Sequence, residues 1–461
     1  MHDVSLGQIE QWTGARVRGA LDRSTRVPGV STDTRTLAAG ELFVALKGDA
    51  FDGHRFVEQA FARGACGAVV AREWAGEDNG NRGGPLLVVE SPLEGLGAIA
   101  CGYRQRFAIP VVAVVGSSGK TTTKEMIAAV LGRRWQVLKT TGNENNEIGL
   151  PKTLLQLGPE HGAAVLEMAA RKMGDIAYLC GIARPTIGVL LNIGTAHLEF
   201  FGSVERVAKA KGELLDYLGD ESSLALVNVD DCVIAKEAMR TKGRLLGFSL
   251  DRESRLCGEG FVLDQEGRGH FSLQNYRFDL QIPGRHNVYN ALAAAGVGDA
   301  LEVPWEDIQR ALNSFQPIAM RSEFLRKNGI CVINDSYNAN PGSMQAALQL
   351  LADVDATGGR RIAVLGDMLE LGEHSAEFHA EVGRRAAALG IDVVLATGPL
   401  SVHAVAGARA GGLHEGRALH FADQQTLGDH LSSVLADGDV VLVKASRGME
   451  LEAVVARLSH G

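Results

Sequence analysis

The chain lacks any excess of positive charge. Its 46 Lys and Arg face 55 Asp and Glu, a formal net charge of -9. With no basic stripe to neutralise phosphates, generic binding to nucleic acid or to an anionic membrane is argued against. Apolar runs long enough to span a bilayer are also missing, and Met1-His-Asp-Val-Ser5 carries no basic segment followed by an apolar one. No membrane span and no secretory leader are therefore expected. Cysteine is sparse and unpatterned: residues 66, 101, 180, 232, 257 and 331 show no Cys-x-x-Cys spacing. That argues against a disulfide framework or a zinc site and predicts buried thiols in a reducing, cytoplasmic setting. No internal repeat or low-complexity tract stands out. What remains is ordinary globular material, 46% apolar and 22% charged over 461 residues, enough for about three domains with full cores.

The densest chemical signal is Val111-Val-Ala-Val-Val-Gly-Ser-Ser-Gly-Lys-Thr-Thr-Thr123. Val111 to Val115 are too few for a buried helix and rich in β-branched types, so they predict a buried parallel strand. Gly116, Ser117, Ser118 and Gly119 are small enough for backbone N–H groups to approach an anion. Lys120, Thr121 and Thr122 follow, and Met126, Ile127, Val130, Leu131 and Trp135 recur at helical spacing. Strand, glycine loop and helix form the context of a phosphate-binding loop: free helix N–H groups attract the phosphates, Lys120 adds a point charge, and Thr121 can ligate Mg²⁺. The usual pattern has glycine five residues before Gly119, where Val114 stands. A bare Gly-Lys-Thr also suits an ordinary β–α turn; the flanking strand and helix favour nucleotide binding.

The fold class expected is α/β in three domains. Residues 1–108 form a small α/β domain, opening on a Ser5/Gln8 capping box, with strands near 40–46, 65–71 and 86–90, helices at 56–63 and 91–107, and a polar surface loop over 76–84. Ile109-Pro110 is read as a hinge. Residues 109–316 alternate strands, near 111–115, 136–140, 163–168, 187–193 and 223–228, with helical patterns, which implies a doubly wound, mostly parallel sheet. Period-two patterns within 244–282 predict an antiparallel addition, followed by an Ala-rich helix at 285–300. Residues 317–461 read as an open, Rossmann-like α/β sheet with strands at 330–334, 361–365, 392–397, 417–421 and 439–444.

Strands of the central domain end in polar groups. One delivers Glu167, another Asn192, with His197 soon after. A carboxylate and an imidazole beside a phosphate loop suit divalent metal holding nucleotide oxygens. The run Thr140-Thr-Gly-Asn-Glu-Asn-Asn-Glu-Ile-Gly-Leu-Pro151 is either a loop held by side-chain bonds or a polar-ligand site presenting Asn145 and Asn146.

Several motifs carry a resemblance. They are Gly116-Ser-Ser-Gly-Lys-Thr-Thr-Thr-Lys-Glu-Met126, Asn143-Glu-Asn-Asn-Glu-Ile-Gly-Leu-Pro151, Asn192-Ile-Gly-Thr-Ala-His-Leu-Glu199, Ala210-Lys-Gly-Glu-Leu214, Gly284-Arg-His-Asn-Val-Tyr-Asn290, Met320-Arg-Ser-Glu323 and Asn334-Asp-Ser-Tyr-Asn-Ala-Asn-Pro341. They span all three domains, and the chain resembles the Mur ligase family, ATP-dependent amide-forming enzymes of peptidoglycan synthesis related to folylpolyglutamate synthase. The last of these runs, with Gly366-Asp-Met-Leu-Glu-Leu-Gly372 and Val443-Lys-Ala-Ser-Arg-Gly-Met449, is similar to the members that add a dipeptide. The implied substrates are a UDP-N-acetylmuramoyl-tripeptide and D-alanyl-D-alanine. The implied cofactors are ATP with two Mg²⁺ ions and a carbamylated lysine, and the implied working unit is a monomer.

Residue by residue, the resemblance implies that Lys120 holds the β- and γ-phosphates and Thr121 one Mg²⁺, with Glu167 and His197 also on metal. Lys211 matches the lysine that the family carbamylates with CO₂; Lys209, two residues earlier, is the alternative. Asn287 and Asn290 would reach the adenine, Arg321 the phosphates and Asp335 the ribose. Ser31, Thr32, Asp33, Arg35, Lys47, Asp52 and His54 lie in runs resembling the loops that hold the UDP sugar. Asn145, Asn146, Tyr337, Asn338 and Asn340 are also assigned to substrate binding. Glu167-Met-Ala-Ala-Arg171 departs from the family's common Glu-Met/Leu-Gly-Ala-Asn at Ala169 and Arg171. The competing readings are a family ligase with another amino acid or a folate substrate, and a phosphate-loop switch that forms no bond.

Overall fold

The computed structural model describes residues 1–49, 51–76, 83–195, 198–356 and 358–460. Backbone contacts divide the chain into two compact units. One holds Met1–Val114, Arg134–Ala170 and Gly174–Gly188; the other holds Val115–Arg133, Arg171–Met173 and Val189–Gly461.

The first unit opens on the expected capping box: Ser5 and Gln8 exchange bonds at the start of the helix Leu6–Thr13. A five-stranded sheet follows, in the spatial order Arg16–Arg18, Leu86–Val89, Gly67–Ala71, Leu42–Val44, Val30–Ser31. Only the Arg16–Arg18 edge runs antiparallel. Parallel pairing puts the loops after Ser31, Val44 and Ala71 on one edge of the sheet. The two outermost strands, of three and two residues, are too short to show a period and were not expected from the sequence. Of the polar loop expected over 76–84, residues 77–82 lie outside the described residues.

Val111–Val115, every residue buried, leads a seven-stranded sheet. In the first unit it pairs in parallel with His161–Glu167, which pairs with Gln136–Lys139. In the second, Leu224–Asn228 pairs in parallel with Arg244–Ser249, and that strand with Leu256–Cys257. Here the expectation of antiparallel structure across 244–282 is corrected. Residues 244–257 extend the parallel sheet, because Leu246, Phe248 and Leu256 are buried. The Ala-rich helix Arg285–Ala300 comes so close that a methyl on Gly296 would stand 2.4 Å from Leu256. The antiparallel addition is the three-stranded sheet Glu259–Leu263, Arg268–Leu273, Tyr276–Pro283.

The last sheet has six strands, in the order Glu323–Lys327, Ile330–Asn334, Val440–Lys444, Arg361–Gly366, Val393–Thr397, Ala418–Phe421. The first is an antiparallel edge strand unforeseen in the sequence reading. Its signal was Asn328-Gly329, both with positive φ (50° and 73°), the pairing that a two-residue hairpin turn requires.

The Ile109-Pro110 linker is clamped. The buried Arg104 guanidinium donates to the carbonyls of Ala183 (3.1 Å), Phe107 (2.5 Å) and Ile109 (3.1 Å). The helices Pro92–Arg104 and Asp175–Ala183 end here, where the last carbonyls of a helix have no partner within it. Arg104→Ala should lower stability by about 3 kcal/mol, because charge-assisted bonds to buried carbonyls are lost together. Urea denaturation of the full chain checks it, and an unchanged midpoint would count against the clamp.

Candidate active site

The loop that follows Val111–Val115 is built by second-unit residues. Val114 sits in the strand, in register with Glu167, so no glycine is needed there and the tight turn begins at Gly116. Asn192 fixes the loop: its Oδ1 accepts from Ser117 N (3.1 Å), Ser118 N (2.9 Å) and Ser118 Oγ (3.2 Å), and its Nδ2 donates to Ser118 O (3.1 Å). Gly194 N donates to Ser117 Oγ at 2.8 Å. Asp231 secures the same segment from behind. One carboxylate oxygen accepts from Ile193 N, and the other caps the helix Cys232–Glu237 through Val233 N and Ile234 N.

Gly119 holds φ +78°, and a Cβ there would meet Asn290 Oδ1 at 2.8 Å, so only glycine lets the loop pass. That oxygen accepts from Thr123 Oγ1 (3.0 Å), Asn290 Nδ2 donates to Asn287 Oδ1 (2.9 Å), and Asn287 Nδ2 donates to Pro283 O (2.6 Å). The two asparagines thus tie the phosphate-loop helix to the helix Arg285–Ala300, each with one amide hydrogen left over.

Lys120 Nζ and Lys211 Nζ both donate to Gly116 O, at 2.9 and 3.1 Å. Lys211 is 2% exposed, on the helix Val204–Tyr217. Burial, then the Lys120 charge, hold its amine well below the usual lysine range. Lys209 is exposed. The helix therefore places the two lysines differently, Lys211 buried against the Gly116 carbonyl and Lys209 exposed.

In the first unit, Glu167 is 4% exposed at the C-terminal end of its strand. Asn145 Nδ2 donates to its Oε1 (2.8 Å), and its own N–H donates to Thr140 Oγ1 (3.0 Å). Asn145 therefore orients the carboxylate. Asn146 Oδ1 accepts from Ile148 N and Gly149 N, opening the helix Gly149–Leu154. His197 lies outside the described residues.

The loops resembling a UDP-sugar site share one edge of the five-stranded sheet. Asp33 and Arg35 form a forked ion pair, which draws the Asp33 carboxyl down to about 2. Ser31 Oγ bonds Asp33 at both its carbonyl and its N–H, and Thr32 between them is partly buried. Lys47 bridges Asp52 through the backbone. His54 is buried with both ring nitrogens engaged: Nδ1 with Asp52 at 2.7 Å, and Nε2 accepting from Ala71 N at 3.0 Å. The ring thereby shapes the loop from inside.

In the last sheet, Arg321 lies between Met320 and Ser322, both at positive φ (60° and 50°). Its guanidinium carbon stands 4.0 Å over the Tyr337 ring. Asp335 accepts from Ser322 N (3.0 Å) and from Lys444 Nζ (2.5 Å), and Lys444 also donates to Asn338 O (2.9 Å). Asn338 Oδ1 accepts from Ala339 N and Arg447 N, and Asn340 caps the helix Pro341–Asp353. Sequence reasoning missed the parts played by Lys444, Asn192 and Asp231. Lys444 had a signal, a cation closing the buried run Val440–Lys444, the same pattern that exposed Glu167.

The chain was compared with known proteins. Family models match residues 26–104 (Mur ligase family, catalytic domain), 114–298 (Mur ligase middle domain) and 320–447 (Mur ligase, glutamate ligase domain). A UDP-N-acetylmuramoyl-tripeptide–D-alanyl-D-alanine ligase of Synechocystis is 40% identical, over 95% of this chain and 93% of its own. The Escherichia coli protein of the same name is 38% identical over 100% and 99%. Among solved structures, a MurF crystal structure from Acinetobacter baumannii superposes with a TM-score of 0.91 at 32% identity, covering 99% of both chains. MurF from Thermotoga maritima in complex with ADP gives 0.82 at 32% identity, covering 94% of this chain and 97% of its own.

Asn192→Ala should leave the loop N–H groups unordered and raise the Kd for ADP about tenfold, the effect of losing loop-ordering bonds of about 1.5 kcal/mol. Calorimetric titration reads it; an unchanged Kd would remove Asn192 from the site.

Proposed function

The chain belongs to the Mur ligase family, and on that premise we infer that it is an ATP-dependent ligase that joins D-alanyl-D-alanine to a UDP-N-acetylmuramoyl-tripeptide in peptidoglycan precursor synthesis. The observation that carries this is the unbroken likeness, over more than nine-tenths of both chains, to relatives bearing that name. The three-domain α/β fold is that of solved MurF structures. The domains are read as 1–108, 109–316 and 317–461, each enclosing one matched family segment.

The first step joins the tripeptide carboxylate to the γ-phosphorus of ATP and releases ADP. Lys120, drawn from Gly116 O to the β- and γ-phosphates, offsets charge together with the loop N–H groups from Gly116 to Thr122. The resulting acyl phosphate is attacked by the dipeptide amine. A C–N bond forms through a tetrahedral intermediate, phosphate leaves with the C–O bond, and the nitrogen loses a proton. Holding the reactants in one water-poor cleft supplies much of the rate and suppresses hydrolysis of the acyl phosphate.

Thr121 and Glu167 offer the hard oxygen donors that Mg²⁺ prefers. Lys211 fits the set only as a carbamate. Its lowered basicity leaves a neutral amine, which adds to CO₂ with loss of a proton and becomes a carboxylate-like ligand. Two Mg²⁺ ions held by Thr121, Glu167, His197 and that carbamate would supply positive charge to the transferring phosphoryl group. Arg321 is assigned to the phosphates and Asp335 to the ribose. The spare amide hydrogens of Asn287 and Asn290 are assigned to the adenine. Ser31, Thr32, Arg35 and Lys47 face the UDP moiety; Tyr337, Asn338 and Asn340 frame the dipeptide loop. A monomer is proposed as the working unit. Six free cysteines, and a structure in which no described helix is long and apolar enough to cross a membrane, support a cytoplasmic setting.

The reading is tested by phosphate release over a grid of UDP-peptides and amino acceptors. Release should require both UDP-tripeptide and D-alanyl-D-alanine; acceptor-independent turnover, or none, would indicate a nucleotide switch. Lys120→Ala should reduce ligation at least about a thousandfold while the chain still melts cooperatively. Lys211→Ala should lose activity and partly regain it with added short carboxylic acids, whereas Lys209→Ala should not. The neutral amine gains as pH rises through its lowered value. Carbamylation, and activity with it, should therefore rise toward alkaline pH and fall on the acid side; a flat profile would remove the carbamate from the mechanism.

A further inference from the structure

Arg321 sits on a strained turn. Met320 and Ser322, on either side of it, both lie in the left-handed region, at φ +60° and +50°. Neither is glycine, so the turn persists only because its surroundings hold it. Arg321 N donates to Ile318 O (3.0 Å), and Met320 N to Glu323 Oε2 (3.0 Å). Ser322 N donates to Asp335 Oδ1 (3.0 Å), and Tyr337 N to Met320 O (3.2 Å). The last two bonds come from the run 335–337, which follows the strand Ile330–Asn334. The same run supplies the Tyr337 ring, and the Arg321 guanidinium carbon stands over it, 4.0 Å from its centre.

A carboxylate that oriented this guanidinium would also neutralise it and occupy its donors. The neighbouring Arg447 is held in that way, with Nη2 2.6 Å from Glu452 Oε1. An aromatic face attracts a cation through its quadrupole, yet leaves the N–H groups in the guanidinium plane unused. Among the described residues the Arg321 side chain makes this ring contact and no hydrogen bond or ion pair. Stability does not explain the arrangement, because a half-buried guanidinium without an acceptor and a left-handed turn both cost free energy. What the geometry achieves is orientation: the plane is fixed, while the full charge and the donor fork are kept. Those are the properties with which arginine reads a phosphate.

Resting on the ligase reading, in which Arg321 is assigned to the ATP phosphates, we propose that Tyr337 is a positioning residue whose ring sets the plane of the Arg321 guanidinium for phosphate contact. Tyr337 then acts on the nucleotide from a loop that is otherwise assigned to the dipeptide.

The test is a double-mutant cycle in the full chain, with Tyr337→Leu and Arg321→Ala, and Tyr337→Phe alongside. Tyr337→Leu should lower kcat/KM for ATP about fivefold, in the range that a cation over an aromatic face contributes. Tyr337→Phe keeps the face and should recover all but about twofold of that loss. In the Arg321→Ala background, Tyr337→Leu should cost less than about twofold more, because the group it orients is gone. If Arg321→Ala turns over too slowly to measure, calorimetric titration with adenylyl imidodiphosphate and Mg²⁺ closes the same cycle. The proposal is overturned if Tyr337→Leu loses less than about twofold, if Tyr337→Phe loses as much as Tyr337→Leu, or if the full loss persists without Arg321. A merely structural role gives that last result, since damage to the loop does not depend on which side chain stands at 321. If the unmodified chain shows no acceptor-dependent phosphate release, the ligase reading itself fails, and that is seen before any variant is compared.

Discussion

Two lysine side-chain nitrogens share one carbonyl oxygen, that of Gly116. Contacts of 2.9 and 3.1 Å to a single atom put the two nitrogens no more than 6.0 Å apart. Two full charges at such a separation repel by roughly 3 kcal/mol at an effective dielectric of about 20. Burial, and then the Lys120 charge, hold the Lys211 amine well below the usual lysine range. A poorly basic amine beside a phosphate loop is suited to become an anion by taking up CO₂. That change would turn the repulsion into attraction.

The rest of the second unit serves to hold that carbonyl and its loop in place. Asn192 fastens the loop, Asp231 fastens the segment carrying Asn192, and the cap of the next helix fastens Asp231. On the other flank, Asn290 and Thr123 join two helices at the point where Gly119 leaves no room for a side chain. Each contact in this chain uses a polar group that burial would otherwise leave unpaired. In the last sheet, Lys444 does the same for the loop 335–338, bonding both Asp335 and the Asn338 carbonyl.

Much of this was legible beforehand, for identifiable reasons. Val111–Val115 and Arg285–Ala300 were placed to the residue, because a β-branched run before glycine and an Ala-rich run after one have few alternative folds. Arg244–Ser249 was included in the expected antiparallel range although the period-two runs begin only near Phe261, and it pairs in parallel with Leu224–Asn228. Glu323–Lys327 was passed over despite the Asn-Gly turn beside it. Among site residues, Glu167 and Lys120 were found because each closes or follows an apolar run. His54, Asn145 and Asn146 were read as ligand candidates, the two asparagines also as residues that hold their loop, and in the structure each bonds a neighbouring group of the protein.

By itself the sequence determined the chemistry on offer: a glycine-flanked amine after a buried strand, a carboxylate after another, and motifs that placed the chain in its family. These are local facts, set by residue type and spacing along a few turns or strands. Only the tertiary structure decided which of two lysines on one helix is buried beside the phosphate loop. Lys209 and Lys211 differ by two positions, or about 200° around a helix, so one faces water and the other the Gly116 carbonyl. Burial, and the field of a charge far away in the sequence, belong to the packed chain, and they set how readily an amine releases its proton.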